Sequence, residues 1–146
     1  MTEPKLKIIE AEPRFYPQVC QLRDEVLRAP IGQKLTETDK KNDALCSIFI
    51  LLQNDQTVRG CVMLHPISAV EIKLKQMAVH PSYQGHQWGR RLIEHAEKYC
   101  KLQGYKKIFI HARVSVSEFY SRLGYKKTGE FFNEITLDHI KMEKEI

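Results

Sequence analysis

The stretch from Val70 to Gly104 constrains the fold more than any other part of the chain. Val70 to Val79 alternates, with Ile72 and Leu74 on one side and Glu71, Lys73 and Lys75 on the other. That is the period of a half-buried strand, and His80-Pro81 bounds it. The loop Ser82 to Gly89 then runs directly into a helix expected from Trp88 to Gln103. Leu92, Ile93, Ala96, Tyr99 and Cys100 share one face of it, and Gly104 is suited to the position just past its end. A strand feeding a helix through so short a loop aims the first N–H groups and the positive dipole end at one spot. A phosphate or pyrophosphate is a natural occupant, and a plain strand-to-helix turn is the other reading. Arg90 and Arg91 oppose the dipole, which is tolerable where an anion sits. The chain contains neither G-x-x-x-x-G-K-[ST] nor G-x-G-x-x-G, so the two best-known phosphate loops are excluded.

Around this unit the pattern continues. Lys5 to Glu10 reads as a strand. Pro13 opens a helix with Val19, Leu22 and Val26 on one face, stopped by Ala29-Pro30-Ile31-Gly32. Gln33 to Asp43 is polar and reads as a loop. Cys46 to Gln53 and Thr57 to Leu64 are strands joined at Asn54-Asp55, an antiparallel hairpin. Lys107 to Ala112 is a strand. Ser115-Val116-Ser117-Glu118 fits a capping box for a short helix carrying Val116, Phe119, Tyr120 and Leu123, ended by Gly124. Tyr125 to Lys127 and Ile135 to Met142 are the last strands. The order β-α-β-β-β-α-β-α-β-β implies a mixed α/β sheet with helices on both faces.

At 146 residues, one domain spanning 1–146 is expected, large enough for a core without staples. The longest apolar run, Ile48 to Leu52, cannot span a bilayer, and Met1 to Lys7 shows no apolar leader. Cys20, Cys46, Cys61 and Cys100 form no CxxC and read as free thiols, mostly core, of a reducing, cytoplasmic setting. The six histidines show no ligand spacing, so no metal is expected. The charge of +5 is spread thinly. Without an aromatic-rich basic patch it argues against nucleic-acid binding but suits a phosphorylated cofactor.

The run His80-Pro81-Ser82-Tyr83-Gln84-Gly85-His86-Gln87-Trp88-Gly89-Arg90-Arg91-Leu92 resembles motif A of the GNAT acyltransferases, [QR]-x-x-G-x-[GA] after a strand ending V-x-P. Gln84 and Gly89 meet its first and last positions, and Val79-His80-Pro81 its strand end. Phe119-Tyr120-Ser121-Arg122-Leu123-Gly124-Tyr125 resembles motif B, at the right separation. The tail Gly129-Glu130-Phe131-Phe132 with Asp138-His139-Ile140-Lys141-Met142, and Leu22-Arg23-Asp24-Glu25-Val26, resemble the ElaA-like branch. Two positions depart from the family: its central Gly falls on Gln87, and Arg113 stands where many members have Asn.

The resemblance implies a mostly antiparallel GNAT sheet and transfer of an acetyl group from acetyl-CoA to an amine by direct attack in a ternary complex. Met77, Ala78 and Val79 would pair with the pantetheine arm, between strands that splay apart to admit it. Gln84, Gly85, His86, Gln87, Trp88, Gly89 and Arg90 would receive the pyrophosphate, with Arg113 and Phe119 also at the cofactor. Tyr120 would protonate the departing thiolate. Glu71, Gln76, Glu134 and His139 lie on strands that could face the acceptor, though Gln76 cannot take a proton, and no one base stands out. His65, His86, His95 and His111 fall in no pattern. Arg23, on the first helix, would border the acceptor and grip a carboxylate, a surface ion pair being the other reading. The alternative is a CoA-binding regulatory module acting through a partner, suggested by Gln87. The identity of the amine is open, as is a homodimer through the C-terminal strands.

Overall fold

The computed structural model describes residues 3–11 and 13–146. Seven strands form one sheet in the order β1-β2-β3-β4-β5-β7-β6. These are β1 (Lys5–Ile9), β2 (Ser47–Leu52), β3 (Val58–Pro66), β4 (Glu71–Val79), β5 (Lys107–Arg113), β6 (Lys126–Glu134) and β7 (Leu137–Glu145). Every neighbouring pair is antiparallel except β4 and β5, which run parallel. The mixed, mostly antiparallel sheet expected of the chain is therefore present.

Both faces of the sheet are covered, and alternation along the strands explains how. Phe49, Leu51, Val62, Leu64, Ile72 and Leu74 face one side, with Ile108 and Ile110 beside them. There they meet Leu92, Ile93, Ala96 and Cys100 of α3 (Trp88–Leu102) and Tyr120 of α4 (Ser117–Arg122). Ile48, Ile50, Cys61 and Met63 face the other side, against Val19 and Leu22 of α1 (Tyr16–Arg23) and Phe15 before it. β2 carries apolar side chains to both layers because it lies inside the sheet, which is why its sequence, SIFILL, shows no alternation.

The structure corrects three expectations. The polar Gln33–Asp43 segment is not all loop: α2 (Glu37–Asp43) occupies most of it, started by a reciprocal cap between Thr36 and Asp39. Asp at the third helical position, instead of Glu or Gln, hid this cap from the usual signature. The capping box placed on Ser115 is absent. A 3-10 turn, Val114–Val116, leads into α4, and the Ser117 hydroxyl donates back to the Val114 carbonyl instead. The first helical stretch does run past Arg23 to Arg28, as its stop at Ala29-Pro30 led one to expect, its last part, Asp24–Arg28, being a wider turn. Finally, Ile135 does not begin a strand. Ile135 and Thr136, at φ 51° and 62°, form the tight turn of a long β6–β7 hairpin. Two β-branched residues at positive φ are a costly choice for such a turn, so the sequence carries no Asn-Gly-type signal for it.

Candidate active site

The site begins with a split in the sheet. β4 and β5 pair only at Glu71 with Lys107, Ile72 with Ile108 and Lys73 with Phe109. Beyond those residues they diverge, so the edge of β4 that would face β5 from Leu74 onward has no strand partner. A bulge sits on this stretch of β4. Its pairing with β3 slips between Cys61 and Met63, and Gln76 is left-handed at φ 56°. Unpaired backbone N–H and C=O groups beside an apolar core are unfavourable unless something else pairs with them. Met77, Ala78 and Val79 lie along this edge.

Above the split stands the N-terminus of α3. The first intrahelical bond there runs from Arg91 N–H to the Gln87 carbonyl at 3.1 Å, and no side chain caps the end. The N–H groups of Trp88, Gly89 and Arg90 are thus free of helical acceptors. The loop's shape comes from two left-handed residues, Gly85 at φ 79° and Gln87 at φ 68°. Gln87 therefore holds a conformation that glycine adopts most easily, while its side chain is exposed rather than folded into the loop. Gln84 donates its side-chain amide to the Val79 carbonyl at 2.8 Å, tying the loop to the end of β4. His86 is exposed. Arg90 pairs with Glu94 at 2.8 Å, and Arg91 lies over the Trp88 ring at 4.6 Å. A Cβ on Gly89 would come 3.5 Å from both Met77 Sδ and Phe119 Cζ, so α3, the end of β4 and α4 converge there.

Across the split, Tyr120 is 7% exposed, its ring edge-on to Phe119 and Tyr125. Its hydroxyl bonds to no described residue and is not among the sealed, orphaned polar atoms. Burial raises its pKa well above that of an ordinary phenol, opposed by the nearby Arg113 guanidinium, so it stays protonated at neutral pH. Arg113 projects to the face opposite α3, where it donates to the Leu27 carbonyl at 2.6 Å.

That opposite face holds a constellation the sequence did not show. His111 Nδ1 lies 3.2 Å from Lys73 Nζ and 3.3 Å from Glu134 Oε1. The other Glu134 oxygen is 3.7 Å from His139 Nε2, and the Phe132 ring stacks on His139 and meets His111 edge-on. His111 had no motif because its partners Lys73 and Glu134 come from two strands, β4 and β6, far from it in sequence. Of the other candidate bases, Glu71 pairs at the closed end of the split.

Arg23 is a correction. It is 1% exposed and does not face an acceptor. Its Nη1 donates to Asp43 Oδ2 at 2.6 Å and its Nε to Gln76 Oε1 at 3.1 Å, while the Tyr16 hydroxyl donates to the same Asp43 oxygen. A buried guanidinium needs a carboxylate, and Asp43 at the end of α2 supplies it. Gln76 is drawn into this network, so α1 and α2 hold the β4 bulge in place.

A model of the acetyltransferase (GNAT) domain matches residues 30–146, most of the chain, and the protein belongs to this family. It is thus an acetyltransferase of the GNAT class. It is 25% identical over 118 residues, 75% of this chain and 80% of the relative, to an uncharacterized acetyltransferase of Streptococcus pyogenes. Among solved structures it resembles a candidate N-acetyltransferase of Lactobacillus plantarum at 26% identity and TM-score 0.84, covering 96% and 97% of the two chains. Escherichia coli ElaA shares the fold at TM-score 0.83 and 16% identity, over 96% and 99%. So does a GNAT family acetyltransferase of Elizabethkingia anophelis with acetyl-CoA bound, at TM-score 0.77 and 18% identity, over 100% of each chain. No helix among the described residues is long and apolar enough to cross a membrane.

Proposed function

We propose that this single domain transfers the acetyl group of acetyl-CoA to an amine by direct attack in a ternary complex. The observation that carries this reading is the split between β4 and β5, with an uncapped helix N-terminus at its mouth and the Tyr120 hydroxyl across it. In this reading the loop Gln84 to Arg90 receives the pyrophosphate on its backbone N–H groups. Met77, Ala78 and Val79 pair with the pantetheine amides along the vacant strand edge, with Phe119 beside them. A pantetheine arm is a linear chain with alternating amide donors and acceptors, so it can take the place of a missing strand.

The chemistry follows from three needs. The thioester oxygen gains charge during attack and is stabilised by a β4 backbone N–H. The amine must be neutral to attack. The thiolate that leaves takes a proton from Tyr120, and Arg113 supplies a fixed positive charge near that hydroxyl. Because α3 and α4 occupy one face of the sheet, the acceptor approaches from the other. Four unbridged cysteines and the use of acetyl-CoA support a cytoplasmic setting.

Gly89→Glu tests the cofactor site. Its Cβ has room, at ordinary contact distances from Met77 and Phe119, and an acid in the first turn suits the helix dipole. The variant is expected to fold with unchanged Tm while acetyl-CoA affinity, measured by calorimetry, falls by at least about 100-fold, as a carboxylate repels the pyrophosphate. Unchanged affinity in a folded variant would place the cofactor elsewhere.

A further inference from the structure

We propose that Nε2 of His111 is the base that takes the proton of the acceptor amine, an assignment that rests on the acyl-transfer reading above. His111 stands two residues beyond Phe109, the last β5 residue to pair with β4. Its strand neighbours Ile110 and Ala112 point into the core with α3, so by alternation its ring points to the opposite face, beside the opening. An amine reaching a thioester in the split from that face meets this ring first.

The ring's two nitrogens are differently placed. Nδ1 faces Lys73 and Glu134, whereas Nε2 has no hydrogen-bond partner among the described residues. In the tautomer that donates the Nδ1 proton to Glu134, the lone pair sits on Nε2, and the Lys73 ammonium acts on the ring as a charge alone. The side chain is 28% exposed, and it borders an open depression of about 510 Å³ also lined by Thr128, Phe132 and Lys141. That volume lies within the range of small-molecule sites.

Burial, helped by the cations around the ring, disfavours its protonation. Lys73 faces it from β4, with Lys75 farther along that strand beyond the last pair with β5; Arg113 flanks it on its own strand, Glu134 comes from β6, and His139 and Lys141 from β7. Burial and then Lys73 push its pKa below the ordinary 6.5, Lys141 adds to this, and Glu134 pulls the other way without reversing it. A base for this step must be neutral before it acts, and this imidazole is neutral at pH 7. Glu134 and Lys73 are positioning residues, acting on the reaction only through the ring.

The step balances as follows. Nε2 takes one proton from the ammonium, and the amine lone pair attacks the thioester carbonyl carbon, forming C–N. The C–S bond breaks with its electron pair on sulfur, which is protonated by Tyr120. The new amide nitrogen gives up its second proton, which returns through solvent to the Tyr120 oxygen. His111 releases its proton to solvent, so one proton is liberated per turnover.

The test uses the whole chain, acetyl-CoA, and a panel of L-lysine, spermidine, phenethylamine and a hexapeptide with a free α-amino group. Thiol release is followed from pH 5 to 9. For the best acceptor, His111→Gln is expected to lower kcat at pH 7.5 by about 10²- to 10⁴-fold. Acetyl-CoA affinity should stay within twofold. In the wild type the acid limb of kcat is expected below pH 6.5, with activity lost as pH falls through it, and His111→Gln should lack that limb. Lys73→Gln is expected to move the limb up and Glu134→Gln to move it down, opposite shifts that a merely structural role would not produce. A His111→Gln enzyme within threefold of wild type, or one that keeps the limb, overturns the assignment. So does a limb that stays fixed in both Lys73→Gln and Glu134→Gln. A wild-type protein that binds acetyl-CoA but acetylates none of the amines overturns the acyl-transfer reading and this inference with it, which separates the two failures.

Discussion

Tyr120→Phe isolates the proton donor because it removes one oxygen and nothing else. The ring sits edge-on to Phe119 at 5.1 Å between centroids and to Tyr125 at 6.0 Å, contacts that phenylalanine keeps. The hydroxyl makes no hydrogen bond to a described residue, so no partner is orphaned by its loss. Deleting a buried hydrogen bond would normally cost about 1 kcal/mol. Here the expected change is within roughly 0.5 kcal/mol, the range of a substitution that disturbs no packing or pairing. In a chain of 146 residues that is a Tm shift of about 1–2 °C by thermal denaturation. Acetyl-CoA affinity should be unaltered, while kcat falls by about 10²-fold, the low end for general acid catalysis because a thiolate leaves tolerably without a donor. Falling kcat with unaltered binding marks an interaction made mainly in the transition state. Because burial holds the phenol protonated well past its ordinary range, the loss should be independent of pH from 6 to 9. Thiol release under single-turnover conditions measures this step. A Tyr120→Phe enzyme with wild-type kcat, in conditions where chemistry limits the rate, would refute the reasoning and leave the thiolate to solvent.

Two further outcomes are expected. Gln87→Gly relieves a left-handed non-glycine residue, worth about 1–2 kcal/mol, against up to about 1 kcal/mol of added chain entropy, so Tm should rise by a few degrees and acetyl-CoA should bind somewhat more tightly. Weaker binding, read by calorimetry, would mean that the Gln87 side chain itself holds the cofactor. Arg23→Met leaves the Asp43 carboxylate buried without its cation and should cost about 3–5 kcal/mol in urea denaturation, whereas Arg23→Met with Asp43→Leu should recover at least half of that. A single variant as stable as wild type would show that the pair does not organise the β4 bulge.

Much of the fold, including the loop that leads into α3, was legible in local sequence. The alternation Ile72, Leu74 against Glu71, Lys73, Lys75, and the helical stripe Leu92, Ile93, Ala96, Cys100, each follow from the period of one element. The loop between them and the Phe119 to Tyr125 run are contiguous, so their chemistry could be read without knowing what lies beside them. Two local features were missed because their residues are not the usual ones. The Thr36–Asp39 cap departs by one methylene from the residue the signature expects, and the Ile135-Thr136 turn has none of the usual turn residues.

The sequence by itself determined most of the strands and the helices other than α2, and that a short loop leads from β4 straight into α3, because these depend on neighbours within a few residues. Only the tertiary structure decided three things. It paired β4 with β5 over three residues and then parted them, beside a bulge at Gln76 whose side chain is held by Arg23 from a distant helix. It buried Arg23, which sequence placed at the acceptor, because an ion pair with a residue 20 positions away is invisible to any local pattern. It also brought His111, Lys73 and Glu134 together from three strands separated by 38 and 23 positions, across a sheet whose order no local rule specifies.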